Sequence, residues 1–164
     1  MPIPARQFDQ AAKLLGPARR VLLTTHIRPD GDAIGCVVAM RQILRASGKD
    51  VLAVLLDPVP QHYELLSQPE PLLVWSRQVG PRDLGQLDAI VVLDTCSYSQ
   101  LEPIADLLRS TSATKIVVDH HLTRDDLADC YLIDPQAAAA SVLVWQWARQ
   151  AGWPIDPVAA RALF

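Results

Sequence analysis

Three short apolar runs in this chain, RVLLTT at 20–25, AIVVL at 89–93 and KIVV at 115–118, each give way at once to a chemically active side chain. The first is followed by His26, the second by Asp94 and the third by the triplet Asp119-His120-His121. Short unbroken apolar runs rich in β-branched residues read as strands buried on both faces, since a strand with one wet face would alternate apolar with polar residues. Amphipathic stretches with helical spacing separate them. That order predicts βαβ units and an α/β fold: a parallel, doubly wound sheet with flanking helices.

Along the chain, a first helix is expected over 5–15, closing at Gly16, then a strand over 21–25. A second helix over 32–46 carries Ile34, Val37, Val38, Ile43 and Leu44 on one broad face and stops at Ser47-Gly48. VLAVLL at 51–56 is the next strand. Prolines at 58, 60, 69, 71 and 81 predict loops over 57–85, with one short helix near 62–66, a short apolar strand at 72–75 and no domain linker. Strands over 89–94 and 115–121 should flank a helix around 100–109, followed by a strand over 130–134 and helices over 137–151 and 157–164. The AAAA at 137–140 reads as a helix start.

With 164 residues, half of them apolar, the chain can build one substantial core. A formal net charge of −3 gives no broad basic footprint for long nucleic acid. Cys36, Cys96 and Cys130 form no CxxC pair, and their odd number argues for reduced, semi-buried thiols over a disulfide framework. No apolar run approaches the roughly 20 residues that span a bilayer. The N-terminal MPIPARQFDQAAKLLG has no hydrophobic signal core, so a cytoplasmic location away from membranes is expected.

In an open parallel sheet the carboxyl ends of the strands line the ligand crevice, which brings residues distant in sequence together. Carboxylates gathered in a partly dry crevice need a compensating cation, and no Lys or Arg cluster accompanies these. A divalent metal is the economical solution. Carboxylate with some imidazole favours Mn²⁺ or Mg²⁺ over structural zinc, and the ligands suffice for two ions sharing a bridging aspartate. Individual residues have plainer readings. Asp32 before AIGCVVAM reads on its own as a helix N-cap, His62 as a loop residue, Asp57 as turn chemistry before Pro58, and Asp88 as a loop residue. Cys96 reads as a small semi-buried thiol. Trp145, Trp147 and Trp153 suit core packing or a domain contact.

HIRPDGDAIG, VVLDT and VVDHH, in that order and spacing, resemble motifs I, II and III of the DHH phosphoesterases. Within that superfamily, HxxPDGDAIG and DPQAAAAS are similar to the nanoRNase group of bifunctional oligoribonucleases and pAp phosphatases, and the likeness runs from about Val21 onward. The resemblance implies a Mn²⁺-dependent phosphoesterase acting on short oligoribonucleotides and on pAp through two-metal activation of water. It implies that His26, Asp30 and Asp94 hold one ion and that Asp32, Asp94 and His120 hold the other. His121 would face the substrate phosphate and Asp119 would orient the histidines. Arg28 and Arg124 are candidate phosphate contacts. The alternatives are another superfamily hydrolase (a single-strand DNA exonuclease, a cyclic dinucleotide phosphodiesterase or an inorganic pyrophosphatase) or a non-catalytic nucleotide-binding module.

Against the family pattern, Cys36 replaces a common Ser, and Val144 stands where a Glu often follows the Ser of AAAAS. The family's motif IV, a further ligand Asp in a segment resembling TGLLTDTG, would fall just after ARALF. The resemblance therefore makes residues 1–164 a DHH domain incomplete at its C-terminus, without the smaller substrate-binding domain. Such a chain is expected to be weakly active or inactive, with apolar surface exposed around Trp145, Trp147 and Phe164.

Overall fold

The computed structural model describes residues 2–68 and 70–164. Its centre is a six-stranded, all-parallel sheet of β1 (Arg20–Thr25), β2 (Asp50–Leu55), β3 (Leu73–Val74), β4 (Ala89–Leu93), β5 (Thr114–Asp119) and β6 (Cys130–Ile133). The strand order is β3-β2-β1-β4-β5-β6. The chain order therefore reverses at β1, and β1 and β4 lie side by side where a doubly wound sheet opens its crevice. Every residue of β4 is buried, as expected of a strand covered on both faces.

The helices are α1 (Ala5–Leu15), α2 (Gly31–Ala46), α3 (Ala105–Ser110), α4 (Ala140–Gln150) and α5 (Pro157–Ala162). Alternation along the strands divides the core. Val21, Leu23, Val91 and Leu93 pack with α1, α2, α4 and α5, whereas Leu22, Ile90, Val92 and Val117 pack with Trp75, Leu84, Leu101 and Leu108. The helix expected to present one apolar face, α2, is buried continuously from Ala33 to Arg41, because α4 and α5 close over the side turned from the sheet.

Four expectations shift. The segment expected as a helix over 100–109 is two 3₁₀ turns (Tyr98–Gln100 and Glu102–Ile104) followed by the short α3. Pro103 has no N–H to donate and favours only a first turn. The AAAA run starts no helix until Ala140: Ala137 N–H closes a turn on the Asp134 carbonyl and Ala139 is extended. The helix over 62–66 is a 3₁₀ segment, Gln61–Ser67. Trp147 is fully buried against Trp153, so of the residues expected at an exposed apolar surface only Trp145 and Phe164 are exposed. Cys36, Cys96 and Cys130 are free and buried.

Arg41 is buried on α2. It donates to the Glu70 carbonyl at 2.9 Å and lies 3.8 Å from the Glu70 carboxylate, which also pairs with Arg45. The Arg45 hydrogen bond, helped by both arginine charges against partial burial, holds the Glu70 carboxyl below its ordinary 4.5. A lowered carboxylate pKa contributes stability above the unfolded pKa and loses it as pH falls through the folded value. The midpoint of urea unfolding is therefore expected to drop less in Glu70→Gln than in the wild type between about pH 6 and about pH 3.

Candidate metal centre

The polar residues at the strand ends meet at the carboxyl edge of β1, β4 and β5. Asp94 follows β4 in a left-handed conformation (φ 60°), unusual for a residue with a side chain, and its side chain is only 2% exposed. Three imidazoles surround it. His26 Nε2 lies 3.6 Å from Asp94 Oδ2, His120 Nε2 lies 3.5 Å from Oδ1, and His121 Nδ1 lies 3.8 Å from Oδ1. Asp94 Oδ1 is buried without a hydrogen-bond donor.

Ring contacts on the far side set the tautomers. His26 Nδ1 is 2.8 Å from the Ile27 carbonyl and His120 Nδ1 is 3.2 Å from the Ala137 carbonyl. A carbonyl only accepts, so each Nδ1 carries a proton, and each ring in its neutral form turns an Nε2 lone pair towards Asp94. Two lone pairs facing a buried carboxylate need a cation between them. That is the arrangement of a metal-ligating histidine, whose other ring nitrogen donates to a backbone carbonyl. The residues thus fit a divalent ion: His26, Asp30 and Asp94 each bring a ligand atom within 4.8 Å of the others, as do Asp94, His120 and His121.

The titrations reflect the same crowding. Burial, with Asp32 and Asp30 nearby, pushes the Asp94 carboxyl up against the opposing pull of His26. Burial alone would lower His26, but the nearby Asp94 carboxylate and the Ile27 carbonyl leave it raised. His121 is likewise raised: burial opposes charge, but the Asp119 carboxylate outweighs it. Burial also pushes the Cys96 thiol up to about 11, which excludes it as a ready thiolate.

Asp119 is fully buried, and its Oδ1 accepts from His121 Nδ1 at 2.7 Å and from the backbone N–H groups of His120 and His121. It thus orients the His121 ring, while the His120 ring is turned by Ala137. The first motif also differs from its plain reading. Asp30, not Asp32, is the N-cap of α2, accepting from Ala33 N–H at 3.0 Å. Asp32 reaches across the fold to α4, whose N-cap residue offers no side chain, and accepts from Ala140 N–H at 2.6 Å and Ser141 N–H at 3.0 Å. It still lies 3.9 Å from His120 Nε2.

Arg28 and Arg124 do not line the cleft beside this cluster. Arg28 is exposed at φ 52° with its N–H given to Asp57, and Arg124 stacks on Tyr131, 3.8 Å from the ring centroid. Asp57 and Asp88, set aside as turn and loop residues, each join separate segments: Asp57 holds the first motif's loop, and Asp88 accepts from Arg19 and Arg20 N–H. Sequence reasoning missed the wall beside the cluster, where Thr95, Ser97, Ser99, Gln100 and Thr123 line a cleft of about 280 Å³ with His26 and Asp94. The signal was available, since TCSYSQ directly follows a strand whose end was already assigned to the crevice.

Residues 20–163 match the DHH family, N-terminal domain. The chain belongs to the DHH family. That places it in a superfamily of phosphoesterases and nucleases. It is similar to the bifunctional oligoribonuclease and PAP phosphatase NrnA of Bacillus subtilis (strain 168), 25% identical over 149 residues, covering 88% of this chain and 44% of the relative. The corresponding protein of Thermus thermophilus is 29% identical over 124 residues, covering 76% and 35%. This DHH chain thus spans less than half the length of these curated relatives. In fold it is similar to an exopolyphosphatase-related protein from Bacteroides fragilis (TM-score 0.89, 22% identity, 98% of this chain and 48% of that one). It is also similar to exonuclease RecJ bound to manganese (TM-score 0.54, 22% identity, 98% and 43%). Among the described residues no helix is long and apolar enough to cross a membrane.

Proposed function

We propose that this chain is the metal-binding part of a manganese-dependent phosphoesterase that hydrolyses short oligoribonucleotides and the 3′-phosphate of pAp. The observation that carries the reading is the convergence of two Nε2 atoms, from His26 and His120, to within 3.6 and 3.5 Å of the buried Asp94 carboxylate, whose Oδ1 has no hydrogen-bond donor. His26, Asp30 and Asp94 would hold one Mn²⁺, and Asp32, Asp94 and His120 a second, with Asp94 shared; Mg²⁺ suits the same oxygen-rich set. Bound there, the ions supply Lewis acidity at phosphorus and a water nucleophile at neutral pH. The names of the similar NrnA proteins support the substrate class.

The side chains divide the remaining work. His121 is the more exposed imidazole, with Nδ1 held by Asp119, so its Nε2 is free to give a proton to the leaving oxygen. Asp119 keeps that ring in register and favours its protonated form. His121→Ala is expected to keep Mn²⁺ affinity while lowering turnover by about a hundredfold or more. Calorimetric titration of Mn²⁺ beside the rate assay checks this. A loss of metal matching that in His120→Ala would make His121 a ligand.

The direct test of function is incubation of the full-length gene product with Mn²⁺ and a panel of pAp, short oligoribonucleotides, cyclic dinucleotides, single-stranded DNA and pyrophosphate. Turnover of pAp and the short oligoribonucleotides is expected. Preference for any of the other three classes overturns the substrate assignment while leaving the metal centre intact.

A further inference from the structure

The cleft beside Asp94 is chemically one-sided. Apart from His26, Asp30, Asp94 and His121 it is lined by Thr95, Cys96, Ser97, Ser99, Gln100 and Thr123, a wall rich in hydroxyls with one amide and one thiol, and the described residues lining it include no Lys, Arg, Phe, Tyr or Trp. A nucleotide offers three kinds of surface to such a wall. A second phosphate would meet no cation there and would face the carboxylates of Asp30 and Asp94. A base would find no aromatic ring to stack on. A sugar presents hydroxyls that both give and take hydrogen bonds, and the wall answers in kind.

The wall is also held in place. Asp125, in the loop beyond His121, accepts from Tyr98 N–H at 2.7 Å and from the Ser97 hydroxyl at 3.3 Å, and its own N–H donates to the Cys96 carbonyl at 2.8 Å. Ile27 N–H, beside His26, donates to the Gln100 carbonyl at 2.9 Å. The wall is therefore tied to both loops that carry the imidazoles. With its proton given to Asp125, the Ser97 oxygen is left to accept. Ser99 Oγ, 3.0 Å away, is free to turn its proton to Ser97 or to a ligand. An acceptor and a donor side by side complement a sugar hydroxyl.

We propose that Ser97, Ser99, Gln100 and Thr123 form a sugar-reading wall, which hydrogen-bonds the ribose next to the phosphate held at the His26/Asp94 cluster and so favours ribonucleotides over 2′-deoxyribonucleotides. This rests on the phosphate-binding reading of the metal centre. The 2′-hydroxyl is the group that separates the two sugars, and a wall built of donors and acceptors loses a partner when it is absent. Asp125 acts as a positioning residue behind the wall.

The test is calorimetric titration of the protein, with Mn²⁺ present, with adenosine 5′-monophosphate and its 2′-deoxy analogue. The wild type is expected to bind the ribonucleotide about tenfold more tightly. In Ser97→Ala/Ser99→Ala that ratio should collapse to within about twofold. Both positions are partly or fully exposed, and retained Mn²⁺ binding shows that the variant is folded. Equal affinity of the wild type for the two sugars, or a tenfold ratio surviving in the double variant, overturns the wall alone. Binding of neither nucleotide overturns the phosphate-binding reading and the wall with it.

Discussion

Asp94→Asn is expected to weaken Mn²⁺ binding by about a hundredfold or more and to abolish turnover, yet to make the metal-free protein more stable. The two effects share one cause. Asp94 is buried among Asp30, Asp32 and three imidazoles, with one carboxylate oxygen unpartnered, so in the absence of a cation its charge opposes folding. Asparagine keeps the shape and is among the few residues that tolerate a left-handed backbone, so the turn at φ 60° should survive. The pH dependence follows. An acid whose folded pKa is raised contributes stability below its unfolded pKa and loses it as pH rises through the folded value. The same holds for His26, whose raised pKa stabilises the fold below 6.5 and ceases to do so as pH climbs past its folded value. Metal-free wild type should therefore lose stability as pH rises from about 5 to about 8, and Asp94→Asn should lose less. Thermal midpoints at both pH values, in chelator and in excess Mn²⁺, check every part. A variant less stable than wild type in chelator would show that Asp94 is structural rather than held in readiness for a cation.

That tension explains why so much of the centre was legible in the sequence. A polar, chemically active residue where a strand is buried is costly enough to need a reason, and β1, β4 and β5, all buried over their last four residues, each run into one. The parallel topology then guarantees that they meet, whatever their separation along the chain. What stayed hidden was decided by contacts with no local signature. Nothing near Asp32 announces that its carboxylate will cap a helix 108 residues away, and helix α4 carries no cap of its own to hint at the gap. The AAAA run has high helix propensity, but the Asp134–Ala137 turn and the demand that Ala140 and Ser141 face Asp32 delay the helix to its fourth alanine. Arg124 looked available for phosphate because it follows the histidine pair by a few residues. Its guanidinium stacks on Tyr131, a partner set by the β5–β6 pairing, and does not line the cleft beside the cluster. The hydroxyl wall was overlooked for the opposite reason: serines and threonines in a loop read as solvent-facing turn residues until the fold lays them in one cleft with the acidic and imidazole cluster.

Gly35→Ala is expected to destabilise the protein by about 1–3 kcal/mol, although alanine is the better helix former by about 1 kcal/mol. Gly35 sits in the second turn of α2, where α5 crosses so closely that a Cβ would overlap the Ala162 carbonyl oxygen. That atom is backbone, so no rotamer change relieves the clash; α5 must move, or α2 must. Both helices are packed into one core with Trp147 and Leu163, and close-packed cores absorb such shifts poorly. The consequence reaches the site because α2 begins at Gly31, and its first turn carries Asp32 while its N-cap is Asp30. If α2 yields, the Asp32 carboxylate leaves the N–H groups of Ala140 and Ser141, and Mn²⁺ affinity falls along with the urea midpoint. If α5 yields, stability falls while Mn²⁺ affinity holds, since α5 contributes no residue to the cluster. Measuring both on the same variant separates the two. A raised urea midpoint, as helix propensity alone would give, would show that α2 and α5 are not in contact at this glycine.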